Sequence, residues 1–92
     1  VMEFDPEDPR AYLEMAGIHR QAGRLEEASQ SANRALEREK TPDGYVLLAR
    51  IYLAQGKTEE AAAALDEGLR LDPSNAAAAR LRDEMNALAT SR

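Results

Sequence analysis

The sequence predicts an all-α fold in which antiparallel helix pairs stack side by side. Three observations support this prediction: a composition that favours helices, an internal repeat, and apolar residues at helical spacing. Hydrophobic residues make up 43% of the 92-residue chain. Ala and Leu dominate this fraction and lose little side-chain entropy in a helix, whereas the β-branched and aromatic residues that favour strands are scarce. We expect five helices, near residues 9–22, 25–39, 43–55, 58–71 and 74–89.

The internal repeat appears when residues 9–41 are placed on residues 42–74. The identical pairs are Pro9/Pro42, Tyr12/Tyr45, Ala16/Ala49, Ile18/Ile51, Gly23/Gly56, Glu26/Glu59, Glu27/Glu60, Ala28/Ala61 and Leu36/Leu69. A period in the low thirties is typical of helix hairpins that bury their apolar faces only against neighbouring hairpins. We therefore predict a first repeat over 9–41, a second over 42–74, a C-terminal capping helix over 75–92 and the tail of a preceding repeat over 1–8.

The first helix of each repeat is predicted from residues spaced three, four and seven apart, which share one helix face. These are Tyr12, Met15, Ala16 and His19 in the first repeat, and Tyr45, Leu48, Ala49 and Tyr52 in the second. Asp8 is a suitable N-cap, and Pro9 suits the first helical position that follows it.

The second helix of each repeat follows a glycine, Gly23 or Gly56, at which a left-handed helix end is favourable. Its apolar face is formed by Ala28, Ala32, Ala35 and Leu36, or by Ala61, Leu65, Gly68 and Leu69. The two predicted faces complete one hairpin core per repeat.

The fifth helix is predicted to close the stack, with Ser74 as its N-cap. Its apolar face comprises Ala78, Leu81, Met85 and Leu88, and its outward face comprises Arg80, Arg82, Asp83, Glu84 and Asn86. A polar outer face is what a terminal repeat needs in water. At the other end, Val1, Met2, Phe4, Asp5 and Pro6 mimic Gly68, Leu69, Leu71, Asp72 and Pro73, so we expect the chain to be a fragment of a longer repeat array.

The repeated positions resemble the tetratricopeptide repeat signature. In that family a large residue, a Leu, a small residue and a Tyr line the first helix, and a turn glycine, a small residue in the second helix and a closing proline follow. Gly56, Ala61 and Pro73 match these last three positions, whereas Lys40 and Ala32 depart from the pattern in the first repeat. The resemblance implies a right-handed superhelical solenoid that binds another protein in a concave groove.

The predicted groove lies on the first helices, on the side away from the tyrosine positions. Its residues are Arg10, Leu13, Glu14, Gly17, Gln21, Val46, Leu47, Arg50, Leu53 and Ala54, to which the last helix could add Ala79, Arg80 and Asp83. An extended or helical peptide with apolar side chains and an acidic group would suit this surface, with Arg50 as its charge partner. The alternative is that Leu47 and Leu53 only pack against neighbouring first helices.

One specialisation within the family is not expected in this chain. Members that resemble chaperone-binding co-chaperones hold a C-terminal carboxylate with Lys and Asn side chains. Leu13, Gly17 and Leu47 occupy the corresponding places here. The resemblance therefore does not imply a chaperone tail as the ligand.

We expect no catalysis, cofactor or metal. His19 is the single histidine and occupies the position that Tyr52 holds in the second repeat, so we interpret it as a packing residue. The pairs Glu26–Glu27 and Glu59–Glu60 fall in first helical turns, where acidic side chains interact favourably with the helix dipole. Cysteine is absent, and the glycines form no phosphate-binding pattern.

The charge pattern limits the partners that can be expected. A net charge of −5 and an isoelectric point near 4.8 disfavour nucleic acid. The apolar runs are too short to insert into a bilayer. Absence of Cys fits cytoplasm and periplasm equally, so the compartment is undetermined, and the Ala, Arg and Glu content suggests a bacterial source.

Three functional interpretations follow. The first is a scaffold that binds a partner peptide or helix. The second is weak self-association through the N-terminal edge or through the Ala62–Ala63 patch. The third is an accessory domain of a larger enzyme or assembly.

Overall fold

The computed structural model describes residues 8–90, which form five α-helices and contain no strand. The helices are α1 (Pro9–Gln21), α2 (Leu25–Arg38), α3 (Pro42–Ala54), α4 (Thr58–Leu71) and α5 (Ala76–Thr90). This confirms the all-helical repeat fold, and every helix end lies within two residues of its expected position. The predicted tail of a preceding repeat falls almost entirely on residues 1–7, outside the described residues.

The turns inside both hairpins are built in the same way. Gly23 has a φ of 81°, and its N–H donates to the carbonyl oxygen of Arg20 at 3.1 Å. The next N–H, of Arg24, donates to the carbonyl oxygen of His19 at 2.8 Å. Gly56, with a φ of 78°, lies in a turn with the same two bonds, at 3.0 and 2.8 Å. This is the helix end in which a left-handed glycine satisfies the last carbonyl groups.

Side chains cap the first helix of each hairpin. Asp8 accepts a hydrogen bond from the N–H of Arg10 at 2.9 Å, and Thr41 accepts one from the N–H of Gly44 at 3.0 Å. Each bond satisfies a donor that has no partner within its helix.

The prediction that Ser74 caps α5 is wrong. Asn75 accepts the capping hydrogen bond from the N–H of Ala78 at 2.9 Å, and the Ser74 hydroxyl donates to Asp72 at 2.7 Å. The reason is spacing, because α3 begins 33 residues after α1, whereas α5 begins 34 residues after α3. The extra residue places Asn75, not Ser74, directly before the helix.

The helices pack in chain order. Helices α1 and α2 form one hairpin and α3 and α4 the next, while α3 also contacts α1 and α2, and α5 contacts α3 and α4. Ile51 and Leu81 are the largest fully buried side chains. The remaining buried hydrophobic residues are Ala16, Ala28, Ala32, Ala35, Leu36, Val46, Leu48, Ala49, Ala61, Ala64, Leu65 and Ala78. Alanine is therefore the main core residue, which allows the helices to approach closely.

Candidate protein-binding surface

The first helices of successive hairpins lie side by side, since α3 contacts both α1 and α5. The two helices are neighbours at Leu13 and Gly44: the Leu13 Cδ2 atom is 3.6 Å, an ordinary contact distance, from the point where a Cβ on Gly44 would lie. We name the surface formed by Leu13, Gly17, Leu47, Arg50 and Leu53 the first-helix surface. Each of these five residues is half-buried.

The ten predicted groove residues differ in exposure. Four more of them, Arg10, Glu14, Gln21 and Ala54, are exposed. Val46 is a correction, because it is only 5% exposed and belongs to the hydrophobic core. Helix α3 is packed against α1, α2, α4 and α5, and the buried side chain of Val46 offers little surface to a partner.

Leu47 and Leu53 have a double character. Both side chains pack against the hydrophobic core, in keeping with the alternative interpretation, and both keep an exposed part. On α1 the surface is more open, because a Cβ on Gly17 would meet no heavy atom within 4 Å. The first-helix surface thus combines the apolar side chains of Leu47 and Leu53 on α3 with free space beside Gly17 on α1.

The two arginines predicted for the groove are in different environments. Arg10 is exposed and forms an ion pair with Asp8 at 3.1 Å. Its hydrogen bond lowers the pKa of Asp8, and the Asp8 carboxylate raises the pKa of Arg10. Arg50 is half-buried, and no ion pair to it occurs within residues 8–90. Arg50 is therefore the cation of this surface that can pair with an incoming carboxylate.

The single histidine and the paired glutamates lie at helix ends. His19 is half-buried, and its Nδ1 atom accepts a hydrogen bond from the Arg24 Nε–H at 3.1 Å, which ties it to the turn between α1 and α2. Glu26, Glu27, Glu59 and Glu60 lie in the first turns of α2 and α4. Across residues 8–90, no three His, Asp or Glu side chains come together as a metal site.

Within residues 8–90, none of the five helices combines the length and apolar character needed to cross a bilayer.

Two further surfaces stand out. At the open side of α1, Met15 is 41% exposed and Ile18 is 61% exposed, and we name this pair the α1 edge.

The second surface, which the sequence analysis missed, is a depression of about 270 Å³ between α3 and α4. We name it the α3–α4 depression, and it is lined by Tyr45, Leu48, Tyr52, Glu60, Ala63 and Glu67. Ala63 belongs to the Ala62–Ala63 patch that the sequence analysis relates to self-association, but the sequence does not show that a depression lies beside it.

Comparison with known proteins gives consistent matches. Models of the tetratricopeptide repeat family match residues 2–45 and residues 42–75. The chain is also 35% identical over 76 residues to U-box domain-containing protein 70 of Oryza sativa subsp. japonica. This match covers 82% of the chain and 9% of the relative, so the chain spans a small part of that protein. A relative from rice gives no support to the bacterial source suggested by composition.

Proposed function

This chain belongs to the tetratricopeptide repeat family, whose repeats mediate protein–protein interaction, and we propose that it binds a partner peptide on its first-helix surface. In this proposal the module itself catalyses nothing. The observation that carries the proposal is the combination of half-buried Leu47 and Leu53 with the unpaired cation of Arg50 on one helix.

The chemistry of this surface favours a particular kind of peptide. Exposed parts of Leu13, Leu47 and Leu53 suit apolar side chains, and the guanidinium of Arg50 suits a carboxylate, with which it can form two parallel hydrogen bonds. The free space over Gly17 gives room for a side chain of the ligand. We therefore expect an apolar peptide with one acidic residue, in an extended or helical conformation.

The experiment begins with a random peptide library displayed on phage and selected against the wild-type protein. The affinity of the selected peptides is then measured by titration against Arg50→Glu and Leu47→Asp. A hydrogen bond to a charged group contributes about 1.5–3 kcal/mol, so we expect Arg50→Glu to weaken binding at least about tenfold. Leu47→Asp should weaken it similarly.

The matched control is Arg34→Glu, which makes the same charge change at an exposed position of α2. It should leave affinity nearly unchanged, and circular dichroism should show that all three variants remain helical. If peptides bind Arg50→Glu and Leu47→Asp as tightly as wild type, the first-helix surface is not the binding site.

A second candidate function, self-association, is favoured by the exposure of the α1 edge. Light scattering over a concentration series separates the two, because only self-association predicts that the mass rises with concentration. In that case Ile18→Glu should restore the monomer mass. If the mass of the wild type stays that of a monomer at all concentrations, self-association is excluded.

The third interpretation is that the module is an accessory part of a larger protein. Its support is the match to U-box domain-containing protein 70, in which the matched segment is a small share of the length. Under this interpretation the same first-helix surface would connect the larger protein to its partner.

A further inference from the structure

The α3–α4 depression lies on the opposite side of α3 from the first-helix surface. At 100° per residue, the angle around the helix axis is about 160° between Tyr45 and Leu47 and about 140° between Tyr45 and Arg50. The two surfaces therefore cannot be covered by the same short peptide. Any ligand of the depression would be additional to the partner proposed above.

The walls of the depression are held in place by packing. Leu48 is 4% exposed and forms the floor, whereas Tyr45 and Tyr52 are half-buried. The Cβ atom of Tyr45 lies 3.1 Å from the position of a Cβ on Gly68, so α4 approaches that tyrosine closely. The Tyr52 hydroxyl accepts a hydrogen bond from Asn33 at 3.5 Å. Packing thus restricts Tyr45 at its Cβ atom, and a long hydrogen bond restricts the hydroxyl of Tyr52.

The two charged side chains that line the depression, Glu60 and Glu67, are both acidic. Glu60 is exposed, and no ion pair involves it in the part of the chain that the structure describes. Glu67 is partly exposed and pairs with Arg70 at 3.5 Å. A surface ion pair of this kind contributes little to the stability of the fold. The Tyr52 ring already has a cation nearby, since the Lys57 Nζ atom is 5.9 Å from its centroid. Carboxylates beside aromatic faces attract a cation with an apolar stem.

We propose that the α3–α4 depression binds an arginine side chain of a basic peptide segment. The aliphatic stem of the arginine contacts Leu48 and Ala63. Its planar guanidinium lies against the Tyr45 ring, because Lys57 is already near the Tyr52 ring, and is within reach of Glu60 or Glu67. A volume of about 270 Å³ is below the range of about 300–1,000 Å³ that is usual for small-molecule pockets, so it suits one long side chain.

The first repeat provides an internal comparison. The positions equivalent to Ala63 and Glu67 are occupied there by Gln30 and Arg34. A longer side chain would fill the depression, and a positive charge would repel the incoming arginine. The double substitution Ala63→Gln with Glu67→Arg therefore gives the second repeat the residues of the first, at positions where the repeat already accepts them.

The test uses two synthetic peptides, acetyl-Gly-Ala-Arg-Ala-Gly-amide and the same peptide with Glu in place of Arg. Each is titrated into the ¹⁵N-labelled protein, and amide chemical shifts are followed. The arginine peptide should cause saturable shifts over residues 60–67, and the glutamate peptide should not. The double variant should bind the arginine peptide about tenfold more weakly than the wild type does. Glu60→Lys, a single exposed change, should weaken the binding severalfold.

Arg50→Glu separates this proposal from the proposed function, because it should leave the arginine peptide unaffected while it disrupts the first-helix surface. The proposal is wrong if the arginine peptide causes no saturable shift, if its shifts map to the first-helix surface, or if the glutamate peptide binds equally well. The proposal is also wrong if the folded double variant and Glu60→Lys both bind the arginine peptide as tightly as the wild type does.

Discussion

Helices α1 and α3 have matching sequence patterns, but their equivalent side chains are buried to different extents. Ile18 is 61% exposed, whereas Ile51, at the same position of the next repeat, is fully buried. Met15 is 41% exposed, and its counterpart Leu48 is 4% exposed. Helix α3 lies between the first hairpin and α5, while α1 has described helices on one side only. In a stack of repeats, burial is therefore set by the neighbours of a position as much as by its residue.

The largest effect expected from this difference is at the paired isoleucines. Ile51→Ala should destabilise the protein by about 2–5 kcal/mol, because it leaves a cavity in the core. Ile18→Ala should change stability by about 0.5 kcal/mol or less, as surface substitutions do. Urea unfolding of both variants provides the measurement. Equal losses for the two would contradict the assignment of Ile18 to an open edge.

A smaller effect is expected where the second repeat has a glycine and the first has alanine. A Cβ on Gly44 would lie 2.9 Å from the Leu36 Cδ2 atom and 2.9 Å from the Thr41 hydroxyl oxygen, whereas Ala11 occupies the same position on the less covered helix α1. Gly44→Ala should therefore destabilise by about 1–3 kcal/mol through overpacking, despite its better helix propensity. Thermal unfolding followed by circular dichroism will measure this. A gain in stability would show that α2 and α3 approach less closely than described.

The smallest changes in stability are expected from alanine substitutions at two helical glycines, Gly17 and Gly68. Gly17 has free space where a Cβ would lie, so Gly17→Ala should stabilise by about 0.5–1 kcal/mol. At Gly68 the same gain is opposed by the Tyr45 Cβ atom at 3.1 Å, so Gly68→Ala should stabilise less or not at all. Urea unfolding of the two variants side by side decides this. A larger gain at Gly68 than at Gly17 would contradict the close packing of α4 on α3.

The pH dependence of the first helix cap follows from its charge. Because Arg10 lowers the pKa of Asp8 below its ordinary value of 3.8, the ionised Asp8 stabilises the folded state above that pH. This contribution is lost as the pH falls through the folded-state pKa. Asp8→Asn keeps a capping side chain without the charge and should flatten this part of the stability–pH curve, measured by thermal unfolding between about pH 2 and 5. An unchanged curve would contradict the pairing of Asp8 with Arg10.

Most of the fold could be predicted from the sequence, because its signals are local. Helical spacing, the turn glycines and the cap at Asp8 each act over a few residues. The sequence predicts the cap of α5 one residue early, at Ser74, because the 33-residue period becomes 34 there. A change of one residue in the length of a repeat is difficult to detect from a single sequence.

The binding surface could be predicted only in outline. Helical geometry indicates which residues of α3 point away from Tyr45, but the burial of Val46 depends on how the other helices pack around α3. The exposure of Ile18 depends on neighbours in the same way. The α3–α4 depression arises from two helices and from the size of Ala63, a combination that periodicity alone does not reveal.

The most direct test of the proposed function is to map the binding site of a selected peptide by amide chemical shifts in the wild-type protein. The first-helix surface predicts that the largest shifts occur in α1 and α3, over residues 13–17 and 47–53, and that they saturate with the affinity found by titration. Shifts concentrated in α2 and α4 instead, with α1 and α3 unchanged, would contradict it.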